Sequence, residues 1–153
     1  MTLLLAFLIG LFAGLRSLTA PAITAWAVYL GWLKLERPLS LIGSLPAVII
    51  LTVLAAMELV VDKLPQTPNR TSALGLSARI LTGGISGMCI SINGGRSAAF
   101  GALLGAGGGV IGCFAGYNLR TRLVQALRTR DLYVALFEDL VAIAGCLLIV
   151  SSL

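Results

Sequence analysis

The chain contains no histidine. That absence removes the commonest zinc and haem ligand, together with every nucleophilic arrangement built on an imidazole base. Charge is also scarce: 11% of the 153 residues are Asp, Glu, Lys or Arg, against about 25% in an ordinary soluble domain. Cysteines number three, Cys89, Cys113 and Cys146, none in a CxxC pair and each inside an apolar stretch. They read as buried, inert thiols rather than as a metal or redox site. No metal and no cofactor is expected. Without a Ser/His/Asp or Cys/His set only carboxylate chemistry is left, so the chain is not expected to be an enzyme.

What the sequence does contain is apolar. Hydrophobic residues make up 58% of the chain and the mean hydropathy is +1.01, which places it among polytopic all-α membrane proteins in contact with lipid. Five apolar segments can be drawn: Leu3 to about Leu33 with an interruption, Leu39 to Val61, Leu76 to Ile92, Ala98 to Tyr117 and Leu132 to Leu153. About 20 residues cross a hydrocarbon core of ~30 Å, so five transmembrane helices are expected in one domain, 1–153. The opening residues lack the basic start of a secretory signal and read as a retained span. The first segment is interrupted at Gly14-Leu-Arg-Ser-Leu-Thr-Ala-Pro21. Pro21 should break or kink it, and Ser17 and Thr19 can cap a restarting helix from about Ala22 to Leu33. Because that helix carries Trp26, Tyr29 and Trp32, it is expected near the membrane surface or re-entering. The linker from Leu64 to Ser72, with Pro65 and Pro68, predicts an extended loop.

The net charge of +5 follows the loops, so topology explains it better than nucleic acid, which is not an expected partner. With five spans, Lys63, Arg70, Arg79, Arg120, Arg122, Arg128 and Arg130 share one side and Lys34, Arg37 and Arg96 the other. The positive-inside rule then puts the N-terminus in the cytoplasm and the C-terminus outside. The string Ile9-Gly-Leu-Phe-Ala-Gly14 recurs as Ile111-Gly-Cys-Phe-Ala-Gly116. Counting one span for each segment, the copies run in opposite directions, which suggests inverted repeat units 1–63 and 97–153 around a central span 76–92.

Two devices stand out within the spans. Gly101, Gly105, Gly109, Gly112 and Gly116 recur every three or four residues and form a groove along the fourth span. Gly83 with Gly87, and Gly10 with Gly14, make shorter versions. Such faces pack helices closely, within one protomer or across a homodimer. The second device is intramembrane acid. A charge at the bilayer centre costs roughly 3 kcal/mol or more, so Glu58, Glu138 and Asp139 each need a partner or a pathway. Arg79 or Arg120 could pair with them as a structural staple. Two carboxylates sharing a low-dielectric site could instead hold a proton and couple to transport. Asp62, beside Lys63, reads as structural. Arg16, with Ser17 and Thr19 at the restarting helix, is a candidate for binding an anion or lipid headgroup, and snorkelling to the headgroups is the alternative.

Gly14-Leu-Arg-Ser-Leu-Thr-Ala-Pro-Ala22 followed by Ala25-Trp26, and Glu58-Leu-Val-Val-Asp-Lys-Leu-Pro-Gln-Thr-Pro-Asn-Arg-Thr71 followed by Ala78-Arg79, resemble the signature stretches of a small bacterial membrane family catalogued as domain of unknown function 4126. The resemblance covers nearly the whole chain. It implies a multi-pass protein of the bacterial inner membrane and marks Arg16, Pro21, Glu58, Asp62, Lys63, Pro65, Pro68, Arg70 and Arg79 as the pattern, without implying an activity. The leading expectation is a transporter or channel-like protein for an ion or small solute, proton-coupled through Glu58 with Glu138 or Asp139. A lipid-phosphate-binding or scaffold protein is the alternative. Five short spans enclose little volume, so a second copy is expected to complete any pathway.

Overall fold

A computed structural model describes residues 1–63, 72–127 and 131–153. Its α-helices are α1 (Thr2–Leu15), α2 (Thr19–Tyr29), α3 (Leu45–Val61), α4 (Ala73–Asn93), α5 (Ala98–Leu127) and α6 (Asp131–Ser151), with one 3-10 turn at Leu39–Gly43. No strand occurs among the described residues. Three helices, α4, α5 and α6, are long and apolar enough to cross a membrane, fewer than the five expected. The shortfall has local causes. The first segment breaks into α1 and α2, of 14 and 11 residues. The second starts late, because Leu39–Gly43 is a separate turn and α3 begins only at Leu45, with a proline in its first turn, where the missing N–H has no helical acceptor anyway.

Glycine contacts give the helix directions. A Cβ at Gly83 would lie 2.6 Å from the Gly105 carbonyl oxygen, one at Gly87 2.6 Å from that of Gly101, and one at Gly109 2.6 Å from that of Arg79, so α4 and α5 are antiparallel. A Cβ at Gly14 would meet Gly109 and Cys113, and one at Gly108 would meet Phe7 and Leu11. Residue numbers on α1 and α5 rise together, and these two helices are parallel. The repeated strings therefore run in the same direction, not in opposite ones. α5 also continues without a break past Gly116, where the repeat required an interruption. The inverted-repeat expectation fails because α2 turns back through the bundle, adding a traverse that the sequence count left out.

That return is visible in α2 itself. Seven of its residues are buried, and it packs on α3, α6 and α4 instead of lying at a surface. Trp26, Tyr29 and Trp32 stay exposed at its far end, and Trp26 Nε1 donates to Thr52 Oγ1 of α3 (3.0 Å). Met1 and Leu153 consequently lie at the same end of the bundle. The glycine faces are used inside the chain. Gly101, Gly105 and Gly109 press on α4, while Gly108 and Gly112 press on α1. A core of Ala6, Ile9, Ala13, Ala20, Ala27, Leu33, Ile90, Cys146, Ile149 and Val150 fills the space between α1, α2, α4 and α6. The three cysteines are buried and form no disulfide.

Candidate functional site

The break between α1 and α2 leaves backbone groups that a helix would have satisfied. Arg16 is extended (φ −137°, ψ 111°), so the last carbonyls of α1 and the first N–H groups of α2 lose their helical partners. Inside a membrane-spanning bundle such groups must find partners in the protein. Two side chains provide them, from opposite sides. Glu58 of α3 accepts from the Ser17 N–H (2.8 Å) and the Ser17 hydroxyl (2.6 Å) on one oxygen, and from the Leu18 N–H (2.8 Å) on the other. Arg79 of α4 donates through Nε to the Gly14 carbonyl (3.0 Å) and through Nη1 to the Gly75 carbonyl (2.9 Å).

Glu58 and Arg79 are therefore not partners. Each caps one side of the same break, and the staple expected between them is replaced by two separate ones. Glu58 does what Ser17 and Thr19 were expected to do for α2, whose start has no side-chain cap of its own. Its negative charge sits where the helix dipole is positive. Replacing Glu58 with Gln is expected to lower stability by about 1–2 kcal/mol, since the amide loses the negative charge and, with its oxygen on Ser17, turns its NH2 toward the Leu18 N–H, another donor. Unfolding in detergent monitored by circular dichroism measures it, and a loss below the scatter of the assay would show that the cap is dispensable.

Arg16 is fully buried. It neither snorkels nor faces a headgroup. Nη1 donates to Asp62 Oδ2, and Nε lies 2.6 Å from Asp139 Oδ1, off the line of a hydrogen bond, so that both atoms count as unsatisfied by geometry while remaining an ion pair. Lys63 Nζ closes the group, reaching Asp139 Oδ2 (2.8 Å) and the Leu59 carbonyl (2.9 Å). Two cations and two carboxylates thus form a charge-balanced cluster that joins α3 and α6 to the break. Asp139 faces this cluster, whereas its neighbour Glu138 lies 3.8 Å from Arg120 Nη1, as adjacent helical positions that diverge by ~100° would place them. Arg120 also grips Asp131 with two hydrogen bonds.

Above this floor lies a cavity of about 840 Å³ whose walls include Glu58, Asp62, Arg79, Arg120, Asp131 and Tyr117. It exists because α3 packs chiefly on α2 and leaves a gap toward α4 and α5. Sequence reasoning had gathered Glu58, Asp139, Glu138 and Arg79 as one polar site, and the structure brings them to one end of the bundle, though not to one another. It missed Asp131, which stands at the first position of α6 and had no signal beyond an acid at a helix start. The pairing of Lys63 with Asp139, 76 residues apart, was equally hidden. Pro65, Pro68 and Arg70 lie outside the described residues.

The family of proteins described as domain of unknown function (DUF4126) matches the chain over residues 3–152, and the chain belongs to it. No curated protein and no solved structure matches.

Proposed function

We propose that this DUF4126 member is a small membrane transporter or channel-like protein for an ion or small solute, with the cavity as its entrance and the carboxylate cluster as its gate. The observation that supports the reading is that the cavity reaches Glu58 at the floor of the bundle. A charge within a lipid-embedded bundle is costly and is tolerated where its hydrogen bonds are satisfied inside the protein; Glu58 accepts three and also lines the cavity. A broken helix whose unwound residues meet charged side chains inside the bundle is also the arrangement by which transporters form ion sites. The rival reading, a lipid-phosphate binder built on Arg16, would require the phosphate to displace Asp62 or Asp139 from an enclosed guanidinium. The cavity lies within one chain, so the proposed entrance does not need a second copy.

Protein reconstituted into vesicles loaded with dyes for protons, sodium and potassium is expected to carry at least one of these fluxes, and Glu58→Gln is expected to abolish it. Wild-type vesicles no leakier than empty ones to all three, or a Glu58→Gln flux equal to wild type, would end the proposal.

Orientation follows from the same reading. Lys63, Arg79, Arg120 and Arg122 stand at the cavity end, and Lys34, Arg37 and Arg96 at the end that holds Met1 and Leu153. The positive-inside rule then makes the cavity cytoplasmic and places both Met1 and Leu153 outside, reversing the N-terminal side expected from five spans. A periplasm-active reporter fused after Leu153 is expected to be active and a cytoplasm-only fluorescent one dark. The opposite pair of results would reverse the orientation.

A further inference from the structure

We infer that the cavity accepts a small zwitterion with an apolar body, its ammonium held by Glu58 and its anionic group by Arg79. This rests on the transport reading above and names the class of its solute.

The charged side chains that line the cavity among the described residues are Glu58, Asp62, Asp131, Arg79 and Arg120. Asp62 is paired with Arg16, and Asp131 with Arg120. That leaves Glu58 and Arg79. Neither has an ion-pair partner among the described residues. Glu58 holds N–H and hydroxyl groups and Arg79 holds carbonyls, all of them neutral. Both also keep capacity for a ligand. A carboxylate offers about four lone-pair sites, and the three hydrogen bonds to Glu58 put two on Oε1 and one on Oε2, so Oε2 can still accept. Nη2 of Arg79 makes no hydrogen bond among the described residues, yet unlike Arg16 Nη2 it is not sealed inside the protein.

Opposite charges on one chamber, carried by different helices, select its ligand. A lone cation at Glu58 shares the chamber with a guanidinium, and a lone anion at Arg79 shares it with a carboxylate. A zwitterion meets both poles, and being neutral overall it brings no net charge into the bundle, where charge is costly. The scale suits a small molecule. Glu58 and Arg79 bind the Ser17 N–H and the Gly14 carbonyl, anchor points three residues apart and so within about 10 Å. An α-amino acid hydrogen-bonded at both ends spans roughly 9 Å. Leu54 and Met57 of α3, Leu74 of α4 and Val124 of α5 supply apolar wall for an aliphatic side chain. A phosphatidylethanolamine headgroup carries the same two poles, as ammonium and phosphate, and the gap that α3 leaves toward α4 and α5 gives it a way in from the bilayer. The shared chemistry therefore has two sources, a free solute and a lipid headgroup.

The test is isothermal titration calorimetry on the full chain, stripped of lipid in detergent micelles. L-leucine is expected to bind. 3-Methylbutylamine, which lacks the carboxylate, and 4-methylpentanoate, which lacks the ammonium, are each expected to bind at least about tenfold more weakly, the factor that corresponds to ~1.4 kcal/mol. This comparison needs no variant, so it is independent of the capping roles of Glu58 and Arg79. Val124→Trp, which fills the chamber from α5 without touching either cap, is expected to remove leucine binding while the thermal midpoint stays near wild type. Dihexanoyl phosphatidylethanolamine is titrated against dihexanoyl phosphatidylglycerol, which has no ammonium. A preference of about tenfold for the first, with leucine silent, supports the same two poles and makes the bilayer their source. A single-charge analogue that binds as tightly as leucine, leucine binding unchanged in a folded Val124→Trp, or silence from both leucine and phosphatidylethanolamine overturns the assignment. Ion flux from the same preparation after reconstitution separates the two readings. Flux without zwitterion binding overturns this one alone, whereas zwitterion binding without flux ends the transport reading and leaves a zwitterion-binding cavity.

Discussion

Arg16→Met is expected to be among the most damaging single substitutions in the chain, with a loss of about 3–5 kcal/mol, the scale for breaking a buried ion pair from one side. Arg16 is fully enclosed and holds two carboxylates from two different helices, Asp62 of the α3 C-terminus and Asp139 of α6. Without it Asp139 keeps Lys63, but Asp62 keeps no cation in this cluster. The carboxylate would then be left beside an apolar side chain at the base of the cavity. The effect should therefore be asymmetric. Adding Asp62→Asn to Arg16→Met is expected to recover more stability than adding Asp139→Asn. Arg16→Lys should fall between wild type and Arg16→Met, because one ammonium cannot reproduce the guanidinium fork that meets both acids. Unfolding in mixed micelles, followed by helical signal, measures the four variants against wild type. An Arg16→Met midpoint within the error of wild type would mean that the cluster does not hold the bundle together.

Gly105→Ala is expected to cost roughly 3 kcal/mol, at the upper end of the overpacking range, although it adds a single methyl group. A Cβ at this position overlaps the carbonyl oxygen of Gly83, which is backbone and cannot rotate away, while the Gly105 carbonyl itself fills the space where a Cβ of Gly10 would stand. Relief would need α4, α5 and α1 to separate together. The matched control is two residues away. A Cβ at Gly107 meets nothing within 4 Å, so Gly107→Ala should be neutral or gain up to about 1 kcal/mol from helix propensity. The pair has the same chemistry and nearly the same depth. Equal effects on the thermal midpoint would mean that glycine composition, not the close contact, governs stability here.

These two sites show how unevenly the structure was legible. The glycine faces could be read from spacing alone, because a three-to-four repeat fixes which residues share a helix side. Their partners could not, since Gly108 serves α1 and Gly109 serves α4 although they are neighbours on one helix. An interruption after Gly14 was equally legible from a proline behind a polar run, though the break falls at Arg16–Leu18 and Pro21 sits inside the first turn of α2, which starts at Thr19 and not near Ala22. Its direction was not. A chain can kink or reverse at the same residues, and only the packing of α2 against α3 and α6 selects the reversal. From that single ambiguity came the wrong relation between the repeated strings and the missed placement of Met1 and Leu153 at one end of the bundle.

The charged residues divide in the same way. Composition and hydropathy by themselves established a lipid-compatible helical protein, the absence of imidazole chemistry, and the short list of acids and bases that an apolar interior must reconcile. Family membership was also written in the stretches around Arg16 and Glu58. What the tertiary structure decided is which charge meets which group. Glu58 binds backbone N–H groups rather than Arg79, and Arg16 meets Asp139 across 123 residues of sequence. The reason is range. Helix periodicity and turn chemistry are encoded within a few neighbouring residues, whereas an ion pair in a bundle depends on how far each helix slides and rotates against the others, and close glycine contacts set that registration over the whole length of the fold.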